Sequence, residues 1–212
     1  MSSISLVYTD TGTAFCIIAG IIYAVKFKTL SPIEKPIAVV IWLNITCDLI
    51  GFFFGKSIDI TGTVYNLLLP TERIISLLIY ACALYKNVFK SIYGVGIGLI
   101  VLTRIVSTLF EAPLTEFQFI ANTIEGLTVA ILSYIFIRSS LTRKAEFSIN
   151  LFAFGIANLL YLTLMASAMS AVKPAISIDP ANATALFGIN TLAYIFWSII
   201  LIIAILWKKQ KI

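Results

Sequence analysis

Long runs of apolar residues, separated by short polar stretches, dominate the chain. Most runs approach about 20 residues, which is the length of helix that crosses the hydrocarbon core of a bilayer. We predict seven membrane-spanning helices: Thr11–Val25, Pro36–Gly55, Val64–Tyr85, Ile92–Phe110, Phe117–Ile137, Phe147–Met169 and Ala185–Trp207. The pattern therefore predicts an all-α integral membrane protein in which residues 1–212 form one seven-helix transmembrane domain.

The composition restricts the class of protein further. Of the 212 residues, 60% are hydrophobic and 12% are charged, against roughly 25% charged in an average soluble domain. These values exclude a disordered chain, a nucleic-acid-binding protein and an ordinary soluble domain. Histidine is absent, which removes histidine-dependent catalytic triads and the usual zinc sites. We expect no cofactor and no metal.

The basic residues outside the spans are distributed unevenly between the two sides of the membrane. Eleven lie on one side: Lys26, Lys28, Lys35, Lys86, Lys90, Arg138, Arg143, Lys144, Lys208, Lys209 and Lys211. Only Lys56 and Lys173 lie on the other side. Because cytoplasmic loops carry an excess of Lys and Arg, we predict an N-terminus outside the cell and a cytoplasmic C-terminus.

Four asparagines indicate an internal repeat. Asn44 in span two matches Asn158 in span six, and Asn66 near the start of span three matches Asn190 near the start of span seven. Spans one to three and five to seven also share one orientation, with span four as the inverting linker. This pattern predicts a parallel 3+1+3 repeat; the alternative is a chance match between apolar helices.

Five ionisable residues lie inside the predicted spans, where each costs about 2.5–3.5 kcal/mol at the centre of a helix. They are Asp48, Glu72, Arg73, Arg104 and Glu125. At 1.5 Å of rise per residue, all five lie about 9–14 Å below the outer surface. Because such residues must face inward and find partners, the sequence predicts a polar pocket that opens outward.

Helical spacing places polar neighbours beside these charges. Asn44 lies one turn before Asp48, and Asn122 lies on the same face as Glu125. The candidate ligand-binding residues are Asn44, Asp48, Asn66, Glu72, Arg73, Arg104, Asn122, Glu125, Asn158 and Asn190.

Pro70 interrupts span three beside two of the charges. It has no N–H to donate to the carbonyl of Asn66 and is expected to kink the helix. Glu72 and Arg73 are neighbours in the sequence and point about 100° apart on a helix. We therefore predict that each pairs with a different helix.

The buried charges do not balance. Three acids and two arginines leave one negative charge, which predicts a bound proton, a cation or a cationic ligand. If one acid is protonated instead, Arg73 or Arg104 is free for an anionic group. A third interpretation is that ion pairs and asparagines only hold the helices together.

The glycine-rich stretch Gly94-Val-Gly96-Ile-Gly98 does not indicate a nucleotide site, because no strand precedes it. Within a span, Gly94 and Gly98 predict a close contact between two helices.

Three segments resemble small uncharacterised bacterial seven-helix integral membrane proteins: Tyr65-Asn66-Leu-Leu-Leu-Pro-Thr-Glu72, Phe147–Tyr161 and Ile189-Asn190. The resemblance covers spans three to seven and implies the bacterial cytoplasmic (inner) membrane, without an activity. The layout of seven spans, with asparagines in spans three and seven, is also similar to the 3+1+3 sugar-transporter family. The Pro-Gln pairs that this family has in spans one and five are absent here.

Three functions follow from the sequence. Small-solute binding or transport ranks first, because it accounts for both the pocket and the repeat. A receptor-like sensor is the first alternative, and its short cytoplasmic loops imply signalling through a partner protein. An intramembrane lipid-cleaving enzyme ranks third, since a carboxylate general base is present but no clear nucleophile is. The expected partners are membrane lipid, a small solute, proton or cation, and a signalling or complex partner, but no nucleic acid.

Overall fold

The computed structural model describes residues 3–54, 58–84, 87–142, 148–178 and 180–207. In these ranges the secondary structure is helical, with no strand. A short 3-10 helix, Phe27–Thr29, accompanies seven α helices: α1 Ser3–Val25, α2 Lys35–Phe54, α3 Ile58–Ala83, α4 Asn87–Phe110, α5 Phe119–Thr142, α6 Ile149–Ile178 and α7 Pro180–Trp207. The predicted all-α class is confirmed.

Six of the helices, α2 to α7, contain apolar stretches of 20–24 residues that are long enough to cross a membrane, and α1 contains the shorter stretch Thr11–Val25. Their outward faces are apolar: Val95, Leu109 and Phe110 are each at least 70% exposed. Exposed apolar surface on this scale is the surface that faces lipid in a membrane protein. The chain is therefore a helical bundle compatible with an integral membrane protein.

Several sequence positions used for the predictions lie outside the described residues. They are Gly55, Tyr85 and Phe147 at the ends of spans, and the basic residues Lys56, Lys86, Arg143, Lys144, Lys208, Lys209 and Lys211.

The last two helices are longer than the apolar runs that predict them. The runs end at Met169 and resume at Ala185, but α6 continues to Ile178 and α7 already begins at Pro180. Proline suits the first turn of a helix, where its missing N–H would have no partner. These two helices therefore extend beyond the apolar stretch at one end of the bundle.

The helices form a closed ring in which each helix packs against its neighbours in the chain and α1 packs against α7. α3 also reaches α5. Within the ring, the Tyr80 ring of α3 stacks on Phe136 of α5, with centroids 4.7 Å apart. At one end, Lys26 Nζ donates a hydrogen bond to the carbonyl of Ile205 at 3.1 Å, which satisfies a carbonyl in the last turn of α7.

The predicted helix contact at Gly94 and Gly98 is wrong. Among the described residues, a Cβ atom at either glycine would meet no atom within 4 Å. A Cβ atom at Gly96 would instead lie 2.4 Å from Leu132 Cδ1 of α5. Residues two apart lie on nearly opposite sides of a helix. Gly96 therefore faces the bundle, whereas Gly94 and Gly98 face outward.

Candidate functional site

Three of the five ionisable residues meet in one place, which we call the charge cluster: Arg73, Arg104 and Glu125. Arg104 binds Glu125 with two parallel hydrogen bonds, from Nε to Oε1 at 2.9 Å and from Nη2 to Oε2 at 2.8 Å. Arg73 Nη1 donates to Glu125 Oε2 and, at 3.1 Å, to Asn122 Oδ1. Arg73 and Glu125 are fully buried. The cluster joins α3, α4 and α5, and two parallel bonds to one carboxylate are the strongest arrangement available to an arginine.

Two side-chain amides extend the cluster toward the loop between α4 and α5. Arg104 Nη1 donates to Asn66 Oδ1 at 2.8 Å and to Gln118 Oε1 at 2.9 Å. Asn66 Nδ2 in turn donates to the carbonyls of Leu114, at 2.8 Å, and Glu116, at 2.5 Å. Asn66 therefore connects the buried arginine to the backbone of the loop.

This loop lies directly on α3 at Gly62. A Cβ atom at Gly62 would lie 1.9 Å from the carbonyl oxygen of Thr115, so only glycine permits this approach. The loop also stabilises the N-terminus of α5, because Glu111 Oε1 accepts a hydrogen bond from the backbone N–H of Ile120 at 2.9 Å. Glycine on α3 and a carboxylate at the N-terminus of α5 thus place Gln118 and Asn122 beside the arginines.

The other two acids, Asp48 and Glu72, take no part in the ion pairs of the charge cluster. Asp48 Oδ2 accepts a hydrogen bond from Thr13 Oγ1 of α1 at 3.1 Å. Glu72 Oε1 lies 3.4 Å from the hydroxyl of Ser76, one turn later in its own helix. In the described part of the chain neither carboxylate has an ion pair. Glu72 is nevertheless within electrostatic range of the charge cluster, and one pocket for all five charges stays a prediction. The expectation that Glu72 pairs with another helix is wrong, because its carboxylate accepts its hydrogen bond from Ser76 of its own helix.

Asp48 and Glu72 lie near two tyrosines, and we call the four residues the carboxyl–tyrosine site: Asp48, Glu72, Tyr161 and Tyr194. The Tyr161 hydroxyl is close enough to both carboxyls to interact with them electrostatically, and Tyr194 is similarly close to Asp48. The rings of Tyr161 and Tyr194 are 5.6 Å apart. The Tyr194 hydroxyl is buried and lies close enough to Asp48 to donate to its carboxylate.

The four asparagines that predict the repeat make different contacts. Asn44 Nδ2 donates to the carbonyl of Val40 in its own helix at 3.0 Å, and Asn66 binds the α4–α5 loop. Asn190 Oδ1 is buried with no partner among the described residues.

Asn158 belongs to a hydrogen-bonded network inside the ring. Its amide donates to Tyr80 Oη at 2.9 Å and accepts from Trp197 Nε1 at 2.7 Å. Ser133 Oγ donates to the same Tyr80 hydroxyl at 3.1 Å. These bonds join α3, α5, α6 and α7, so Asn158 helps to hold the helices together.

Glu34, a fully buried acid directly before α2, is not among the residues predicted from the sequence. Its carboxylate accepts hydrogen bonds from the backbone N–H of Ser31, at 2.8 Å, from Asn150 Nδ2, at 3.0 Å, and from the hydroxyl of Ser148. The sequence Ser31-Pro-Ile-Glu34 has the spacing of a capping box, in which the acid reaches back to the start of a helix. That spacing could have identified Glu34 from the sequence. In the structure the same carboxylate also links the start of α2 to the start of α6.

Two adjoining cavities of 190 and 320 Å³ lie between α3 and α4 on the outside of the bundle. We call them the α3–α4 groove; its wall includes Leu67, Pro70, Arg104, Ile105 and Leu109. Arg104 is 11% exposed, so the groove leads from the lipid-facing surface to the charge cluster.

Within the described ranges, no three side chains of the metal-binding types come together. Comparisons with protein-family models, curated proteins and solved structures give no match to this chain.

Proposed function

We propose that this membrane protein binds a proton or a small cationic solute at the carboxyl–tyrosine site and carries it across the bilayer. The observation that supports this proposal is that neither the buried Glu72 nor the half-buried Asp48 has an ion pair in the described part of the chain. A lone carboxylate inside a membrane is costly, and a proton or a cation removes that cost. Tyrosine rings beside the acids favour a cation through their negative faces.

The charge cluster has a supporting role in this proposal. Glu125 is bound by both arginines and fully buried, so it is not free to receive a cation or to act as a general base. The cluster fixes α3, α4 and α5 to one another. Asp48 lies on α2 and Tyr194 on α7, which are not among the three helices that the cluster joins.

The site can be tested with Asp48→Asn and Glu72→Gln, which remove one charge each with little change in shape. We expect sodium, potassium or choline chloride at matched ionic strength to raise the melting temperature of the wild-type protein, because a ligand that binds only the folded state stabilises it. Each variant should lose this shift. For a proton, vesicles with an imposed potential should take up protons through the wild-type protein and not through the variants.

The matched control is Glu116→Gln, which neutralises an exposed acid of the α4–α5 loop. It should retain both the cation-dependent shift and the proton uptake. Equal responses from the wild-type protein and from Asp48→Asn and Glu72→Gln would refute the proposal.

We further infer an N-terminus outside the cell, since the basic residues outside the spans favour one side by eleven to two. This orientation places Asp48 and Glu72 in the outer half of the membrane. Glu116→Cys and Thr29→Cys, both at exposed positions, should be labelled by an impermeant maleimide from the outside and from the inside, respectively. Cys82→Ser provides the background, because Cys82 is exposed whereas Cys16 and Cys47 are buried. The reverse labelling would contradict the orientation.

A receptor-like sensor that signals through a partner is the second candidate. The hydrogen bond from Thr13 to Asp48 joins α1 to α2, and the bond from Lys26 joins the other end of α1 to α7. A ligand at Asp48 would therefore alter a contact of α1, and α1 extends to the opposite end of the bundle. Ligand-dependent capture of a partner, without transport in vesicles, would favour the sensor. The parallel 3+1+3 repeat and the bacterial cytoplasmic membrane stay predictions from the sequence.

A further inference from the structure

We propose that an anionic phospholipid of the surrounding bilayer occupies the α3–α4 groove, with an acyl chain along its wall and its phosphate at Arg104. The proposal does not depend on ligand binding at the carboxyl–tyrosine site. It rests on the shape of the groove, on the position of Arg104 in its wall and on the depth of Arg104.

The wall of the groove suits an acyl chain. Leu67 and Ile105 are each 53% exposed, and Leu109 is 70% exposed. These side chains line the groove on the outside of the bundle, where the surrounding solvent is lipid. Apolar side chains offer a lipid tail contact area and no polar group that would lose its hydration.

An arginine in the wall of the groove suits an anion. Arg104 lines both cavities and is 11% exposed. It has five N–H groups and uses four of them for Glu125, Asn66 and Gln118. The remaining N–H of Nη2 has no acceptor among the described residues, and guanidinium N–H groups bind phosphate oxygens well.

The depth of Arg104 is compatible with a headgroup. Arg104 lies six residues before Phe110, the last residue of α4, which places it about 9 Å from the end of the helix. The 24 residues of α4 span about 36 Å, more than the hydrocarbon thickness of about 30 Å. A long arginine side chain can reach several ångströms toward the interface, so a phosphate in the leaflet beside the α4–α5 loop is within reach.

The test is native mass spectrometry of the full-length protein from mixed micelles that contain equal amounts of phosphatidylglycerol and phosphatidylcholine. We expect the wild-type protein to retain phosphatidylglycerol several-fold more than phosphatidylcholine. Ile105→Trp fills the groove without touching the charge cluster, and it should reduce retained phosphatidylglycerol to the level of phosphatidylcholine. Leu102→Trp is the matched control, since Leu102 is 57% exposed on the same helix and does not line the groove; it should bind as the wild type does.

A second variant, Arg104→Lys, keeps the charge but loses the planar guanidinium and its paired donors. It should weaken the preference for phosphatidylglycerol while the apolar wall is unchanged. Equal retention of the two lipids by the wild-type protein would overturn the proposal. Undiminished phosphatidylglycerol binding by Ile105→Trp would overturn it as well, because the lipid would then lie outside the groove.

Discussion

Glu125→Gln is expected to destabilise the protein by about 3–5 kcal/mol, the usual cost of removing one partner from a buried ion pair. Glutamine has the shape of the acid but brings an N–H where Arg73 and Arg104 need acceptors, so two buried positive charges lose their shared anion. For a chain of this size, we expect a fall in melting temperature on the order of 10 °C. Thermal unfolding in detergent, followed by circular dichroism, measures it.

Two further variants show whether charge causes the loss. Glu116→Gln removes an exposed carboxylate and should leave the melting temperature nearly unchanged. Arg73→Met with Glu125→Gln restores the net charge of the cluster to that of the wild type, and the new methionine would lie beside Met165, whose sulfur Arg73 already contacts at 3.6 Å. The double variant should regain part of the lost stability. A Glu125→Gln protein as stable as the Glu116→Gln protein would show that the cluster does not hold the helices together.

Gly62→Ala is expected to have the second largest effect, a loss of about 1–3 kcal/mol that is typical of overpacking. The added methyl group would meet the carbonyl of Thr115 at 1.9 Å, and a backbone atom cannot rotate away as a side chain can. The α4–α5 loop would have to lift off α3, which would also lengthen the bonds from Asn66 to Leu114 and Glu116. Thermal unfolding and proteolysis of the loop should both register the change.

The matched control is Gly98→Ala on α4, where a Cβ atom would meet nothing within 4 Å in the described residues. Alanine is a better helix former than glycine by roughly 0.5–1 kcal/mol, so this variant should be as stable as the wild type or slightly more stable. If Gly62→Ala and Gly98→Ala behave alike, the close approach of the loop to α3 is not required for folding.

The sequence predicts the helices well because their length follows from one physical requirement. A backbone inside lipid must satisfy its own hydrogen bonds, so an apolar run of sufficient length has few alternatives to a helix. The meeting of Arg73, Arg104 and Glu125 was predictable for a similar reason, since a buried charge requires a partner.

The absence of Asp48 and Glu72 from the ion pairs of the described residues could not be predicted. Depth along a helix can be counted, but the rotation of each helix depends on how all seven pack together. Asn66 illustrates the limit: its partners are backbone carbonyls of Leu114 and Glu116, 48 and 50 residues away, and every residue has such a carbonyl. The helix contact predicted at Gly94 and Gly98 is wrong because their spacing shows only that they share one face of α4. It does not show whether that face meets another helix or the lipid. Glu34 was predictable, since its capping box is local.

The contact of α1 with α7 sets the order in which the protein can be assembled. The bond between Lys26 and Ile205 joins residues 179 positions apart, and a ribosome working at about 5–20 residues per second needs roughly 9–36 s to synthesise that length. During this interval α1 lies in the membrane or at the translocon, and the face of α1 that packs against α7 stays uncovered. Closure of the ring therefore has to follow the synthesis of α7. A chain stalled before α7 would present an incomplete helix surface that membrane quality-control proteases can recognise.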